Sequence, residues 1–279
     1  MQKKLHINTN SRKIRVNIDT RFRNNKSQLS TDCTINLYEK FKNIISIDIP
    51  SVELSNTIYV FNEANNNISF TIKDSFGSHE IDIMTGNYTS IEMEECIQEK
   101  LDEINTTHSV NYSIYICTRN GKTTIYEDSG TLTDFELIFK GGKNYSNGLG
   151  HNLGYKQKEY IDKLKYKSEN IVDLCGEKYL FLSIGDFQSN YKTFRGDYEI
   201  CKNIFSKLLL NGDIYSVIYE TNDNKLVHMK KSIDVNKLQI QLFDCFGDIV
   251  DLNGHDFSFT VELEQITNSC ITDKYGSVF

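Results

Sequence analysis

The sequence predicts a mainly β fold: an antiparallel jelly-roll sandwich interrupted by a small inserted α+β lobe with one helix. Three observations carry this reading. Alanine occurs once in 279 residues, as Ala64, and proline once, as Pro50, whereas tyrosine and phenylalanine occur 16 times each. Helices favour Ala, while strands favour β-branched and aromatic residues. Alternation of apolar and polar residues recurs along the chain, and a single segment carries helical spacing.

The elements follow in order. Ile14–Ile18 alternates as a strand with one buried face, and residues 21–31 are polar and loop-like. Cys33–Leu37 and Asn43–Leu54 read as strands, the second interrupted by Pro50, which predicts an edge or a bulge there. Thr57–Phe61 reads as a short strand. Asn67–Lys73 and Glu80–Met84 flank a Gly-containing turn. Thr89 then suits a helix N-cap, with Glu92 completing a capping box and Tyr88 and Met93 placed as a hydrophobic staple. Met93, Ile97, Leu101 and Ile104 share one helical face, so the helix is expected over about 89–105.

Val110–Cys117 alternates, and Asn120-Gly121 predicts a type I′ hairpin turn into Thr123–Glu127. Phe135–Phe139 adds a strand. Residues 140–167 hold five Gly and seven Lys with little periodicity, and read as a linker. Strand patterns resume at Tyr179–Ile184, Ile204–Leu210, Ile214–Glu220, Leu238–Phe243 and Phe257–Leu263, of which Tyr179–Ile184 is apolar on both faces and so central. Strands from 33–61 and 179–263 together number about eight, the size of a jelly roll. The expected organisation is a basic arm (1–31), a sandwich (32–66 with 168–266), an inserted lobe (67–139), the linker (140–167) and a polar tail (267–279). The rival organisation is two consecutive domains split near 145.

Net charge is −7, distributed unevenly. Residues 1–31 carry Lys3, Lys4, Arg12, Lys13, Arg15, Arg21, Arg23 and Lys26 against Asp19, a balance of +7 that leaves −14 for the remainder. A basic segment on an acidic body suits docking on something negative; the competing reading is a solvated, frayed terminus. No apolar run reaches the roughly 20 residues of a membrane span, and the first residues lack the apolar stretch of a secretory signal. Seven cysteines without a C-x-x-C pair suit reduced thiols, and the Asn-x-Ser/Thr triplets at Asn67, Asn87, Asn105 and Asn111 read as chance in an Asn-rich chain.

Catalytic signatures are absent: no G-x-S-x-G elbow, no P-loop and no H-E-x-x-H. Gly148–Gly154 has the wrong spacing for a dinucleotide fingerprint and no flanking strand and helix. The six histidines are scattered, and Asp244, Asp248, Asp251 and Asp256, interleaved with Gly247 and Gly254, read as turn chemistry rather than a calcium loop. No enzyme activity, cofactor or metal is therefore expected. Tyr112, Tyr115, Tyr126, Tyr215 and Tyr219 form a candidate stacking platform for bases or sugars, against the alternative of rings packed in the core.

One series of segments is suggestive in its order: Val16–Arg23, Ser30–Ile35, Lys42–Ile47, Val52–Tyr59, Gly86–Thr89 and Asp244–Asp248. Over about residues 14–264 the chain resembles a capsid-associated protein family of nucleocytoplasmic large DNA viruses. It departs at Leu54-Ser55-Asn56, where the family often reads Ile-Pro-Asn. The resemblance implies a virion protein with no catalytic residues: a jelly-roll penton or minor capsid component, assembled in the host cytoplasm. Its implied partners are the major capsid protein, other minor capsid proteins and further copies of itself, as a pentamer if a penton. The basic arm, through Lys3, Lys4, Arg12, Lys13, Arg15, Arg21 and Arg23, is then expected to touch a neighbouring subunit, the inner membrane or DNA. Deleting residues 1–25 is expected to leave a folded body that no longer enters particles. The alternative is a carbohydrate-binding attachment module using Tyr215, Tyr219 and the 244–256 loop.

Overall fold

Two segments far apart in sequence form the first unit, residues 1–58 and 177–279, and the intervening residues 59–176 form a second. The computed structural model describes residues 6–185, 187, 192–195, 198–199, 203–221 and 226–272. In the first segment lie β1 (His6–Asp19) and β2 (Asp32–Ser55). After the second unit come β10 (Tyr179–Ile184), β11 (Phe194–Arg195), β12 (Tyr198–Glu199), β13 (Ile204–Leu209), β14 (Val217–Thr221), β15 (Val227–Phe243) and β16 (Ser258–Thr272). The second unit contains β3 (Ser69–Asp74), β4 (Gly77–Asp82), α1 (Ser90–His108), β5 (Tyr112–Ile116), β6 (Thr123–Glu127), β7 (Phe135–Phe139), α2 (Leu149–Asn152), β8 (Glu159–Lys163) and β9 (Lys165–Lys167).

In the first unit seven antiparallel strands run in the order β1-β16-β2-β15-β10-β13, with β14 also on β2. Pairing of β2 with β14, β15 and β16 joins the two ends of the chain in one sheet. Ile18, Ile35, Ile47, Leu182, Phe205, Ile240, Phe259 and their neighbours bury into one continuous core. A flat sheet cannot hide one face against itself, so the sheet curls over that core in the manner of a jelly roll. The bends fall where the ladder breaks: Asn43 has φ 56°, and β15 shifts register three times between His228 and Lys237. Pro50 sits in the interior of β2, not at a sheet edge. It lies where the register against β16 shifts between Thr260 and Glu262 and where partnership on the other side passes from β15 to β14, so its missing N–H interrupts no ladder bond. Cys33–Leu37 and Asn43–Leu54 are thus one strand; β10 is central between β15 and β13, and Thr57–Phe61 contributes only an isolated bridge from Phe61 to Gly86.

The expected arm (1–31) contains a long sheet strand, β1, over 14 of its residues. β1 pairs with β16 from His6↔Thr272 to Asp19↔Ser258, and Ile14, Val16 and Ile18 extend the core layer. The alternation at Ile14–Ile18 signals this strand; its length is set by β16, which continues to Thr272 through the residues expected as a tail.

The second unit packs two sheets, β4-β3-β7-β8 and β5-β6-β9, with α1 around one core. Thr89 caps α1 as expected: its hydroxyl accepts from Glu92 N (3.2 Å) while Glu92 Oε2 accepts from Thr89 N (2.8 Å). Met93, Ile97, Leu101 and Ile104 are the buried face. The helix also covers the open edge of β5. Asn105 Oδ1 accepts from Tyr112 N (2.6 Å), Gln98 Oε1 from Ile114 N (3.0 Å) and Glu94 Oε2 from Ile116 N (2.7 Å). Side-chain oxygens on one helix flank thus replace a neighbouring strand and close an edge that would otherwise invite pairing.

Two expectations for this unit are corrected. The β5–β6 connection is a four-residue loop closed by Cys117 N–Lys122 O (2.9 Å), and of its Asn-Gly pair only Gly121 takes positive φ, so the turn is not type I′. Residues 140–167 are no linker: β8 completes one sheet and β9 the other. The glycines serve close packing. A Cβ on Gly154 (φ +87°) would lie 2.4 Å from Asn170 O, and one on Gly150 2.5 Å from the Phe139 ring. Buried Leu149, Leu153, Tyr155 and Tyr166 anchor the segment at intervals too irregular to register as a period.

Candidate interaction surface

Alternation along β1 puts Ser11, Lys13, Arg15 and Asn17 on the outer side of the curled sheet, opposite Ile266, Glu264, Glu262 and Thr260 of β16. Lys13 Nζ meets Glu262 Oε1 at 2.6 Å and Arg15 Nε meets Glu262 Oε2 at 2.8 Å. Glu264 accepts from Ser11 Oγ (2.6 Å) and Ser46 Oγ (2.8 Å). Hydrogen bonds from Lys13 and then Arg15 hold the Glu262 carboxyl below the usual range, and those from Ser11 and Ser46 do the same for Glu264. The Lys13 and Arg15 side chains remain 66% and 72% exposed, so a neighbouring surface can still reach them.

Arg12, Arg21 and Arg23 are bound into the unit. Arg12 Nε donates to Gln265 Oε1 (2.9 Å). Arg21 Nη2 lies 2.6 Å from Asp19 Oδ2, a contact that lowers the Asp19 carboxyl. Arg23, only 14% exposed, clips the loop after β1 to the loop before β16: Nη1 bonds Asp256 Oδ1 (2.5 Å) and Thr20 O (2.9 Å), and Nε bonds Gln28 O (2.9 Å). Lys3 and Lys4 lie outside the described residues. The positive segment therefore finds much of its complement inside the protein. The spacing of Glu262-Leu263-Glu264 against Lys13-Ile14-Arg15 is a sequence signal for this, legible only once the two strands are known to pair.

Among the described residues of this unit, a run of exposed apolar side chains lies around β14, where Tyr215, Val217 and Tyr219 are 64%, 48% and 71% exposed. Tyr215 holds φ 64°, rare for an aromatic residue, fixed by Tyr215 N–Asn56 O (2.8 Å) and Asn56 N–Ser216 O (2.9 Å). The 244–256 loop lies close by: Thr57 Oγ1, next to Asn56, donates to Leu252 O (2.7 Å). Its carboxylates serve turns and clips. Asp244 Oδ1 accepts from Phe246 N (2.8 Å) and Asp248 N (2.9 Å), and Asp251 Oδ1 from Asn253 N (2.8 Å). Of the candidate stacking tyrosines, Tyr112 is fully buried with its hydroxyl on Asp74 Oδ2 (2.8 Å), whereas Tyr115 is 48% exposed. Tyr115 and Tyr126 belong to the second unit and Tyr215 and Tyr219 to the first.

A curled antiparallel sheet interrupted by an inserted lobe defines the first unit as a jelly-roll-like fold. Among solved structures, the mavirus penton protein matches with a TM-score of 0.53 over 92% of this chain and 100% of that one, at 10% identity. A chain of the Sputnik virophage matches over 90% of this chain and 97% of its own, with a TM-score of 0.42 and 12% identity. The likeness to the mavirus protein shows a penton-type fold. No family model and no curated protein matches the sequence.

Proposed function

We propose that the chain is a structural protein of an icosahedral DNA virus, a penton or minor capsid component resident in the virion and assembled in the host cytoplasm. The observation that carries this is fold likeness to a penton protein along that protein's entire length. Three features support it. Each unit has its own core, giving rigid bodies with broad faces. The first unit is built on one seven-stranded antiparallel sheet. The exposed aromatics around β14 and the largely exposed Lys13 and Arg15 suit contacts with major capsid subunits or further copies of the chain. Lys3 and Lys4 add two further positive charges to the same N-terminal segment of the sequence.

Particle reconstruction tests this reading. The protein should co-purify with virions and occupy defined capsid positions, at the five-fold vertices if it is the penton. Purified protein imaged alone would then form five-membered rings. Gradient-purified particles with complete vertices and none of this chain would overturn the proposal.

A further inference from the structure

The cations that stand out in the sequence lie in residues 1–31, yet the structure ties most of the described ones to carboxylates or backbone carbonyls. A second basic surface emerges only from strand register. In the β5-β6-β9 sheet, Tyr115 lies opposite Thr124 and Thr124 opposite Lys167, while Tyr126 lies opposite Lys165. These side chains share the face opposite to buried Ile114, Ile116, Ile125 and Tyr166. Neighbouring strands are about 4.8 Å apart and alternate residues about 6.7 Å, so the group spans roughly one to two sugar rings. Arg119, at the tip of the β5–β6 loop, is exposed at one end.

Arg119, Lys165 and Lys167 make no ion pair among the described residues. Lys165 Nζ lies 5.4 Å from the centroid of the Tyr126 ring, which holds the ammonium over the sheet. The Cys117 thiol, on the same face, is held below its usual range by backbone N–H groups of Asn120 and Arg119, with Lys167 adding to the effect. The carboxylate acting on this face from the packed helix is Glu94, and its Oε2 is engaged by Ile116 N at 2.7 Å.

We propose that this face binds an anionic polysaccharide, with Tyr115 stacking on a sugar ring and Lys165, Lys167 and Arg119 holding its sulfate or carboxylate groups. Charge complementarity selects a polyanion. The aromatic content selects a sugar over a nucleic acid. Tyr115 offers one open ring, enough for one pyranose, whereas Tyr126 is capped by Lys165, so successive bases find no series of free rings. The chain's net charge of −7 also opposes a long phosphate polymer more than a short acidic oligosaccharide bound at one place. This inference does not depend on the capsid role.

Binding of the full chain to a heparin-derived hexasaccharide, followed by calorimetry near physiological salt, is the test. Neutral maltohexaose and a thymidine dodecamer are run alongside. The sulfated sugar should bind and the neutral one should not. Lys165→Glu with Lys167→Glu should weaken binding at least about tenfold, and Tyr115→Ala should weaken it with the cations intact. Lys26→Glu, on the other unit, should leave it within about twofold. Unchanged far-UV dichroism would show that each variant is folded. No binding by the parent chain, equal loss in Lys26→Glu, or indifference to Tyr115→Ala would each overturn the proposal. Tighter binding of the thymidine dodecamer would replace it with a nucleic-acid face.

Discussion

The coverage of the β5 edge by α1 makes a quantitative prediction about Gln98. Its Oε1 accepts from Ile114 N at 3.0 Å, and its Nε2 donates to Tyr112 O (3.2 Å) and Asp102 Oδ1 (2.8 Å). Ile114 is 5% exposed and Tyr112 fully buried, so water has little access. Gln98→Met keeps the length and apolar stem but removes both polar atoms. Tyr112 O retains Asn105 Nδ2 at 2.9 Å, whereas Ile114 N–H loses its acceptor. Leaving a buried N–H unsatisfied costs about 1–3 kcal/mol. Gln98→Glu keeps an acceptor for that N–H and should lose less from this cause, though it places a second carboxylate beside Asp102. Native-state amide exchange reads the site directly: Ile114 protection should fall about fivefold to a hundredfold in Gln98→Met. Loss should be smaller at amides of the first unit, which has its own core. An Ile114 amide exchanging as slowly in Gln98→Met as in the parent would refute the edge-cover argument.

Gly154→Ala should lower the melting temperature of the chain by several degrees, because its Cβ meets Asn170 O at 2.4 Å in a left-handed conformation; Gly130→Ala, with open space around its Cβ, isolates the conformational part in the same calorimetric scan. Glu262→Gln tests the outer charge row through pH. The folded Glu262 pKa is depressed, so its ion pairs contribute stability fully present above the unfolded value of about 4.3 and lost as pH falls through the folded one. Urea midpoints of parent and variant should differ at neutral pH and converge in acid; a gap unchanged by acidification would count against this row. Deleting residues 1–25 removes all of β1, uncovers the edge of β16 and takes Ile18 from the core. The truncated chain should unfold at lower urea or aggregate, and a soluble body of parental stability would contradict the pairing.

Local patterns read well from sequence where the physics is local. The cap at Thr89, the buried stripe Met93–Ile97–Leu101–Ile104 and the alternation of β5 depend on neighbours within a few residues, and they stand as read. The helix ran three residues past the expected end because Ser109, in a left-handed conformation at φ 55°, terminates it where no glycine signals a stop. The misread segments share another cause. β1 looked like a free arm because its charge partners sit some 250 residues away on β16. Residues 140–167 looked like a linker because their few anchors fill gaps between two sheets and follow no period of their own.

The amino-acid sequence by itself settled that this chain is mainly β, that one amphipathic helix interrupts the strands, and where most strands begin. Composition and short-range alternation encode these directly. Only the tertiary structure decided which charges are spent internally and which face outward. Ion pairing depends on register between distant strands: one residue of slip would turn Lys13 and Arg15 away from Glu262, and that register becomes legible only once β1 and β16 are known to pair.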